Sequence, residues 1–339
     1  MNYDLRQIIE VARMYHVVKL SQHEISERLN LSRPKISRIL RQAEERGIVR
    51  VAGVDPMHDS ATLEKELVDA FDLKSACVTN ALGLSGNQVR VELGRLAAEY
   101  LIKILKPRDI LGVAWGSTTL EVAKQMPNYP VDEMKVASLF GCTYENVMDE
   151  GIFDMARIFA RRLGARLYLL YTPVIVSSAA VRDVYLSENH TKLTMENIKL
   201  CNVALNGIGT FWRNSMLYRY GYIKETKWEE LAKRGAVGNI CSRYYDIDGN
   251  PVDEELESRT IGLGFSQMKN KEHSIGVAMG PDKVAAVYGA LVGKLINTLV
   301  TDEDTAKAVL ELRAGRRGVA PVKSGRARSG GRAGRKQGR

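Results

Sequence analysis

A chain of 339 residues with 45% hydrophobic and 26% charged side chains is long enough for two domains and has the composition of a globular protein. No apolar run reaches bilayer length and no signal-peptide pattern opens the chain, while the four cysteines (Cys77, Cys142, Cys201 and Cys241) form no CxxC pair; this argues against membrane insertion, a zinc site or a disulfide framework and predicts a cytoplasmic setting. The net charge of +9 is uneven: residues 313–339 carry ten Lys/Arg and no Asp/Glu, residues 1–312 carry 39 basic and 40 acidic side chains, and residues 1–52 carry ten and six, so a small basic head precedes a mildly acidic body.

Residues 4–18 place Leu5, Ile8, Ile9, Ala12 and Tyr15 on one helical face. Ser21 followed by Glu24 has the form of a capping box, and Ile25 and Leu29 continue a second helix that breaks at Asn30-Leu31. Ser32 is placed to cap a third helix, with Pro34 in its first turn, where the missing N–H costs nothing. Ile36, Ile39 and Leu40 form its inward stripe, and Arg33, Lys35, Ser37, Arg38 and Arg41 its outer side. Two short helices so joined, the second basic on its outside, make a helix-turn-helix suited to a major groove. Ser32, Arg33, Lys35 and Ser37 are placed for base edges or adjacent phosphates of double-stranded DNA, and Arg38 and Arg41 for backbone neutralisation. Residues 44–51 predict a helix end, a glycine turn and a short strand, that is, a wing. A plain helical hairpin with a solvated charged face is the competing reading; cap, turn and polarity together favour DNA binding.

The chain divides into a helix-turn-helix domain (1–52), a linker helix (53–74), an effector-binding domain (75–312) and a basic tail (313–339). Leu63, Leu67, Ala70 and Phe71 form one stripe of the linker helix, which fits equally a second subunit or the chain's own body. Beyond it, candidate strands at 76–78, 110–114, 135–139, 166–170, 202–205, 274–278 and 295–300 alternate with amphipathic segments at 89–105, 120–126 and 283–295. This predicts an α/β fold with a mostly parallel sheet covered by helices. Ligands in such folds sit at the carboxyl ends of the strands.

Three strand ends stand out. Gly116-Ser117-Thr118-Thr119 follows a strand and opens a helix, and amides at a helix start bind anions. Asn206-Gly207-Ile208-Gly209-Thr210 closes another strand with glycines that admit a ligand to the backbone. Gly280-Pro281-Asp282-Lys283 presents a lysine at a helix start, suited to a phosphate as a point charge. Each alone is ordinary turn chemistry; three in one sheet point to a site. No Walker motif, GxGxxG fingerprint or HExxH pair is present, so neither a nucleotide cofactor nor a catalytic metal is expected. Trp212 and Trp228 are read as core or rim.

On the stretch from Leu31 to Leu40, the three loops above, Gly235–Asn239, Tyr244-Tyr245-Asp246 with Asp248-Gly249, and Leu299–Asp302, the chain resembles the SorC-type sugar-binding transcriptional regulators from about Leu5 to Leu312. The resemblance implies a body related to sugar-phosphate isomerases, a phosphorylated sugar or similar effector, operator DNA as partner, and a homo-oligomer, dimer or tetramer. By motif position, Gly116, Ser117, Thr118, Thr119 and Lys283 would hold the phosphate, Asp246 would accept from effector hydroxyls, and Gly207 and Gly209 would line the floor. Asp246 also fits a turn residue before Asp248-Gly249. Phe140-Gly141-Cys142-Thr143 departs from a double glycine of many relatives. The rival reading is a sugar-phosphate isomerase or deaminase with a fused head; it needs an acid/base pair, and beyond Asp246 none is identifiable. The tail, rich in Arg and Gly, either adds salt-sensitive DNA affinity or is inert.

Overall fold

A computed structural model describes residues 4–16, 20–45, 60–81, 83–141, 154–213, 215–219 and 221–318. The predicted wing, Cys142, Thr143 and residues 319–339 of the tail lie outside these. Among the described residues no helix is long and apolar enough to cross a membrane.

The head comprises α1 (Leu5–His16), α2 (Gln22–Leu29) and α3 (Arg33–Glu45). Ser21 and Glu24 form the expected capping box: the Ser21 N–H donates to Glu24 Oε2 (2.7 Å) and the Glu24 N–H to Ser21 Oγ (3.3 Å). Asn30 ends α2 in the left-handed region (φ 52°), which asparagine tolerates. Ile8, Val11, Ala12, Ile25, Ile36, Ile39, Leu40 and Ala43 make one closed core. The stripe of α1 is rotated from the predicted one, since Ile9 and Tyr15 are 48% and 36% exposed. Neighbouring helical positions lie about 100° apart, and the face shared with Val11 and Ala12 is that of Ile8.

In the body, α4 (Ser60–Phe71) precedes β1 (Ser75–Thr79), α5 (Gly86–Ile104), β2 (Ile110–Val113), α6 (Ser117–Gln125), β3 (Lys135–Ser138), α7 (Met155–Leu163) and β4 (Arg166–Tyr168). Then come α8 (Ala179–Ser187), α9 (Asn189–Leu200), β5 (Val203–Gly207), β6 (Gly209–Thr210), α10 (Met216–Arg219), α11 (Glu225–Lys233), β7 (Ala236–Ile240) and β8 (Arg243–Asp246). The chain continues through α12 (Glu254–Ser258), α13 (Phe265–Lys269), β9 (His273–Val277), a 3₁₀ turn (Pro281–Lys283), α14 (Val284–Val292), β10 (Thr298–Asp302) and α15 (Glu303–Gly318). Seven strands form one sheet in the order β1-β10-β9-β5-β2-β3-β4, with every pairing parallel. Neighbouring strand residues feed opposite cores: Leu111 and Val113 pack with α5, α6 and α7, whereas Ile110, Ala204 and Leu299 pack with α4, α9, α14 and α15. Leu63, Leu67 and Phe71 of α4 are buried in this second core. Of the two readings of that stripe, packing on the chain's own body is the one observed.

Two features differ from expectation. The last strand starts at Thr298 rather than 295, because Leu295 and Ile296, though apolar and buried, form the exit from α14: Lys294 has φ 55° and the Leu295 N–H returns to the Ala290 carbonyl. A second, antiparallel sheet β6-β7-β8 was not anticipated. Its β7–β8 turn pairs Ile240 with Arg243, so Cys241 and Ser242 are its two central residues. Both have positive φ (48° and 63°), the geometry of a type I′ hairpin turn without the Asn-Gly that usually announces it.

Candidate functional site

β2 and β5 are parallel neighbours from which the chain departs in opposite directions, to β3 on one side and towards β9 on the other. Their carboxyl ends therefore border the crevice of a topological switch point. A cavity of about 520 Å³ opens there, a volume suited to a small ligand. Trp115–Thr118 after β2, Gly207–Thr210 after β5, and Asp282 and Lys283 after β9 line it together. The three loops singled out from sequence thus meet in one place. The small sheet closes another wall with Asn239, Cys241 and Ser242, and Arg90, Phe140, Trp212 and the stretch Ser215–Leu217 also line the cavity.

Gly116 precedes α6 without any side-chain cap, so the first-turn amides from Ser117 to Thr119 have no intrahelical acceptor and sit at the positive end of the helix dipole. Ser117 and Thr118 line the cavity. Thr119 does not: its side chain is buried and its hydroxyl is 2.8 Å from the Ala114 carbonyl and 3.1 Å from that of Gly116. That hydroxyl locks the turn, so the Thr119 side chain, expected from sequence to hold a phosphate, is engaged with the backbone of its own loop. Gly207 faces open space, with only Thr119 Cγ2 within 3.8 Å of an added Cβ. At Gly209 a Cβ would lie 2.5 Å from Asn239 Nδ2, so this glycine makes room for the Asn239 amide on the cavity wall.

Lys283 is held from two sides. Its Nζ donates to the Ile208 carbonyl at 3.0 Å, and burial pushes the ammonium below the usual lysine range, with Asp282 partly offsetting the shift. Its loop is tied down through Gly280 (φ 104°), whose N–H donates to Asp302 Oδ2 (3.0 Å) and Thr305 Oγ1 (2.9 Å). The buried Asp302 also accepts the Thr305 N–H (2.9 Å) and hydroxyl (2.8 Å). The stretch Leu299–Asp302 therefore acts on the site by anchoring the lysine loop.

Asp246 is not among the cavity-lining residues. Its carboxylate accepts the N–H groups of Asp248 (3.0 Å) and Asn250 (2.8 Å) and stabilises the turn after β8. Of the two roles open to Asp246 from sequence, effector hydroxyls or the turn before Asp248-Gly249, these hydrogen bonds are those of the turn. In the head, Ser32, Arg33, Arg38 and Arg41 are exposed, and Lys35 and Ser37 are half-buried on the same helix.

Sequence reasoning missed several lining residues. Trp115 packs on Phe140 (4.8 Å between ring centroids) and donates its indole N–H to the Gly141 carbonyl. Trp212 stands 59% exposed at the mouth, whereas Trp228 is buried and stacked on Phe211 at 3.8 Å. Asn239 lay within a noted motif and Phe140 within a noted departure; Arg90, Cys241 and Ser242 carried no local signal.

Residues 55–311 match the sugar-binding domain family and residues 19–50 the winged helix-turn-helix DNA-binding family. Over 302 residues the chain is 34% identical to the deoxyribonucleoside regulator of Bacillus subtilis, covering 89% of this chain and 96% of that one. Over 309 residues it is 32% identical to the transcriptional regulator LsrR of Klebsiella pneumoniae, covering 90% and 93%. The full-length sorbitol operon regulator SorC from Klebsiella pneumoniae superposes with a TM-score of 0.70 at 29% identity, over 91% of this chain and 100% of that chain. These relatives are regulators rather than enzymes, and the chain belongs to the SorC family of sugar-binding helix-turn-helix transcriptional regulators.

Proposed function

We propose that this regulator binds operator DNA through α3, with Ser32, Arg33, Lys35 and Ser37 at base edges or nearby phosphates and Arg38 and Arg41 on the backbone. Its effector is a phosphorylated sugar. The phosphate sits on the amides of Ser117–Thr119 and the hydroxyls of Ser117 and Thr118, with Lys283 as counter-charge; the sugar lies towards Gly207, Gly209 and Asn239. The observation that carries this reading is the meeting of an uncapped helix N-terminus and a tethered lysine in one cavity at the switch point. Residues 1–52 act as the DNA-binding unit and 75–312 as the effector unit, with α4 joining them. Paired half-sites require two heads, so the working form is a homo-oligomer. Isomerase or deaminase chemistry is not favoured: it would use a carboxylate held in the pocket, and the carboxylate on the cavity's described lining, Asp282, is exposed.

A thermal-shift panel on the full chain tests the effector class, since a ligand bound only by the native state raises stability. Pentose and hexose phosphates should raise the midpoint where the matching free sugars do not. The relative named for deoxyribonucleosides puts 2-deoxyribose 5-phosphate in the panel. Equal shifts from free and phosphorylated sugars would overturn the phosphate assignment.

A further inference from the structure

Arg90 is a cavity-lining cation that the effector reading leaves unused. It stands near the start of α5, is exposed, and has no ion-pair partner among the described residues. Its position follows from helix packing. α5 and α6 meet closely at Gly94, where an added Cβ would lie 2.9 Å from Glu121 Cγ and 3.0 Å from the Glu121 carbonyl oxygen. Both helices cover the same face of the sheet after parallel strands, so they run in the same direction. Arg90 precedes Gly94 by four residues and Ser117 precedes Glu121 by four. One turn back along each helix brings the guanidinium level with the open N-terminus of α6. Lys283 enters from the other side, on the loop after β9, with one N–H directed at Ile208.

We propose that Arg90 is the residue by which this cavity selects a phosphorylated sugar over the free sugar; the proposal rests on the effector reading above. Its guanidinium takes two phosphoryl oxygens as a planar fork, while the α6 amides hold the remaining oxygen. No ion pair among the described residues has to break for this to happen. The uncapped amides and the Lys283 point charge attract an anion of any shape; the fork of Arg90 matches a phosphoryl group.

Isothermal titration of the full chain with inorganic phosphate, in the wild type, Arg90→Gln and Arg90→Lys, tests this. Arg90→Gln should weaken phosphate binding about tenfold or more, the loss of a charge-assisted bidentate contact. Arg90→Lys, which keeps charge but not the fork, should recover only part of it, and the unliganded thermal midpoint should hold in both. Wild-type phosphate affinity in Arg90→Gln would overturn the proposal and leave the effector reading standing. Full recovery in Arg90→Lys would overturn the role of the fork. A wild type that takes up no phosphate yet is stabilised by free sugars would overturn both.

Discussion

Lys283 sits where burial withholds a counter-charge that a phosphate would supply. Its ammonium is pushed down chiefly by desolvation, and Asp282 restores only part of the shift. A bound dianion would raise that pKa, so the occupied site holds the proton more tightly than the empty one. Binding is then linked to proton uptake wherever the free lysine is partly deprotonated. Effector affinity should fall as pH rises through the depressed free-state value of the lysine. Lys283→Met should lower affinity about tenfold or more and remove the alkaline dependence; a wild type whose affinity does not vary in alkaline solution would exclude Lys283 as the phosphate's partner. Asp246 leads to the opposite expectation. Because its carboxylate accepts two backbone N–H groups in the turn, Asp246→Ala should cost about 1–2 kcal/mol in urea unfolding and leave effector affinity unchanged. At this scale the sequence is ambiguous for a physical reason: a carboxylate before Asp248-Gly249 suits a turn and a sugar hydroxyl equally. Arg90 was illegible because its proximity to Ser117 depends on how two helices pack, which no local pattern encodes.

Elements were legible where burial stamps a pattern on the chain. The strands β2, β5 and β9 are buried along most of their length and end in glycine-containing loops, so apolar runs and turn residues marked both the strands and the crevice. The small antiparallel sheet left no such trace, with a two-residue β6 and a type I′ turn made by Cys241 and Ser242. The phase of α1 was misplaced because Ile8 and Ile9 are equally apolar and only packing chooses between them. The turn after β8 shows how one element seats another. Gly249 has φ 76°, and an added Cβ would fall 2.3 Å from Gly293 Cα and 2.5 Å from the Gly289 carbonyl oxygen. The turn therefore docks directly against α14, the helix that follows the Lys283 loop. Gly249→Ala adds backbone strain to overpacking and should destabilise by about 2–4 kcal/mol, measured by chemical denaturation. A near-neutral result would show that the turn can lift away from α14 at little cost.

For the whole molecule, regulation is a coupling between two binding events. An effector can shift operator affinity only by its difference in affinity between the DNA-competent and DNA-incompetent arrangements. The same coupling acts in reverse, so operator DNA must change effector affinity by the same factor. Fluorescence anisotropy of labelled operator, with and without saturating sugar phosphate, gives one side of that equality. Calorimetric titration of sugar phosphate into the protein, alone and pre-bound to operator, gives the other. Two variants separate the sites. Arg33→Ala removes an exposed cation of α3, so it should weaken operator binding, flatten its dependence on salt by about one ion's worth, and leave the effector affinity of the DNA-free protein intact. Lys283→Met should leave operator binding intact and shift the effector's influence on it to higher sugar-phosphate concentrations. The two measured factors should agree in the wild type, and in Lys283→Met about ten times or more sugar phosphate should be needed for the same change in operator affinity; a response at the wild-type concentration would mean the sugar phosphate acts on the head through a second site.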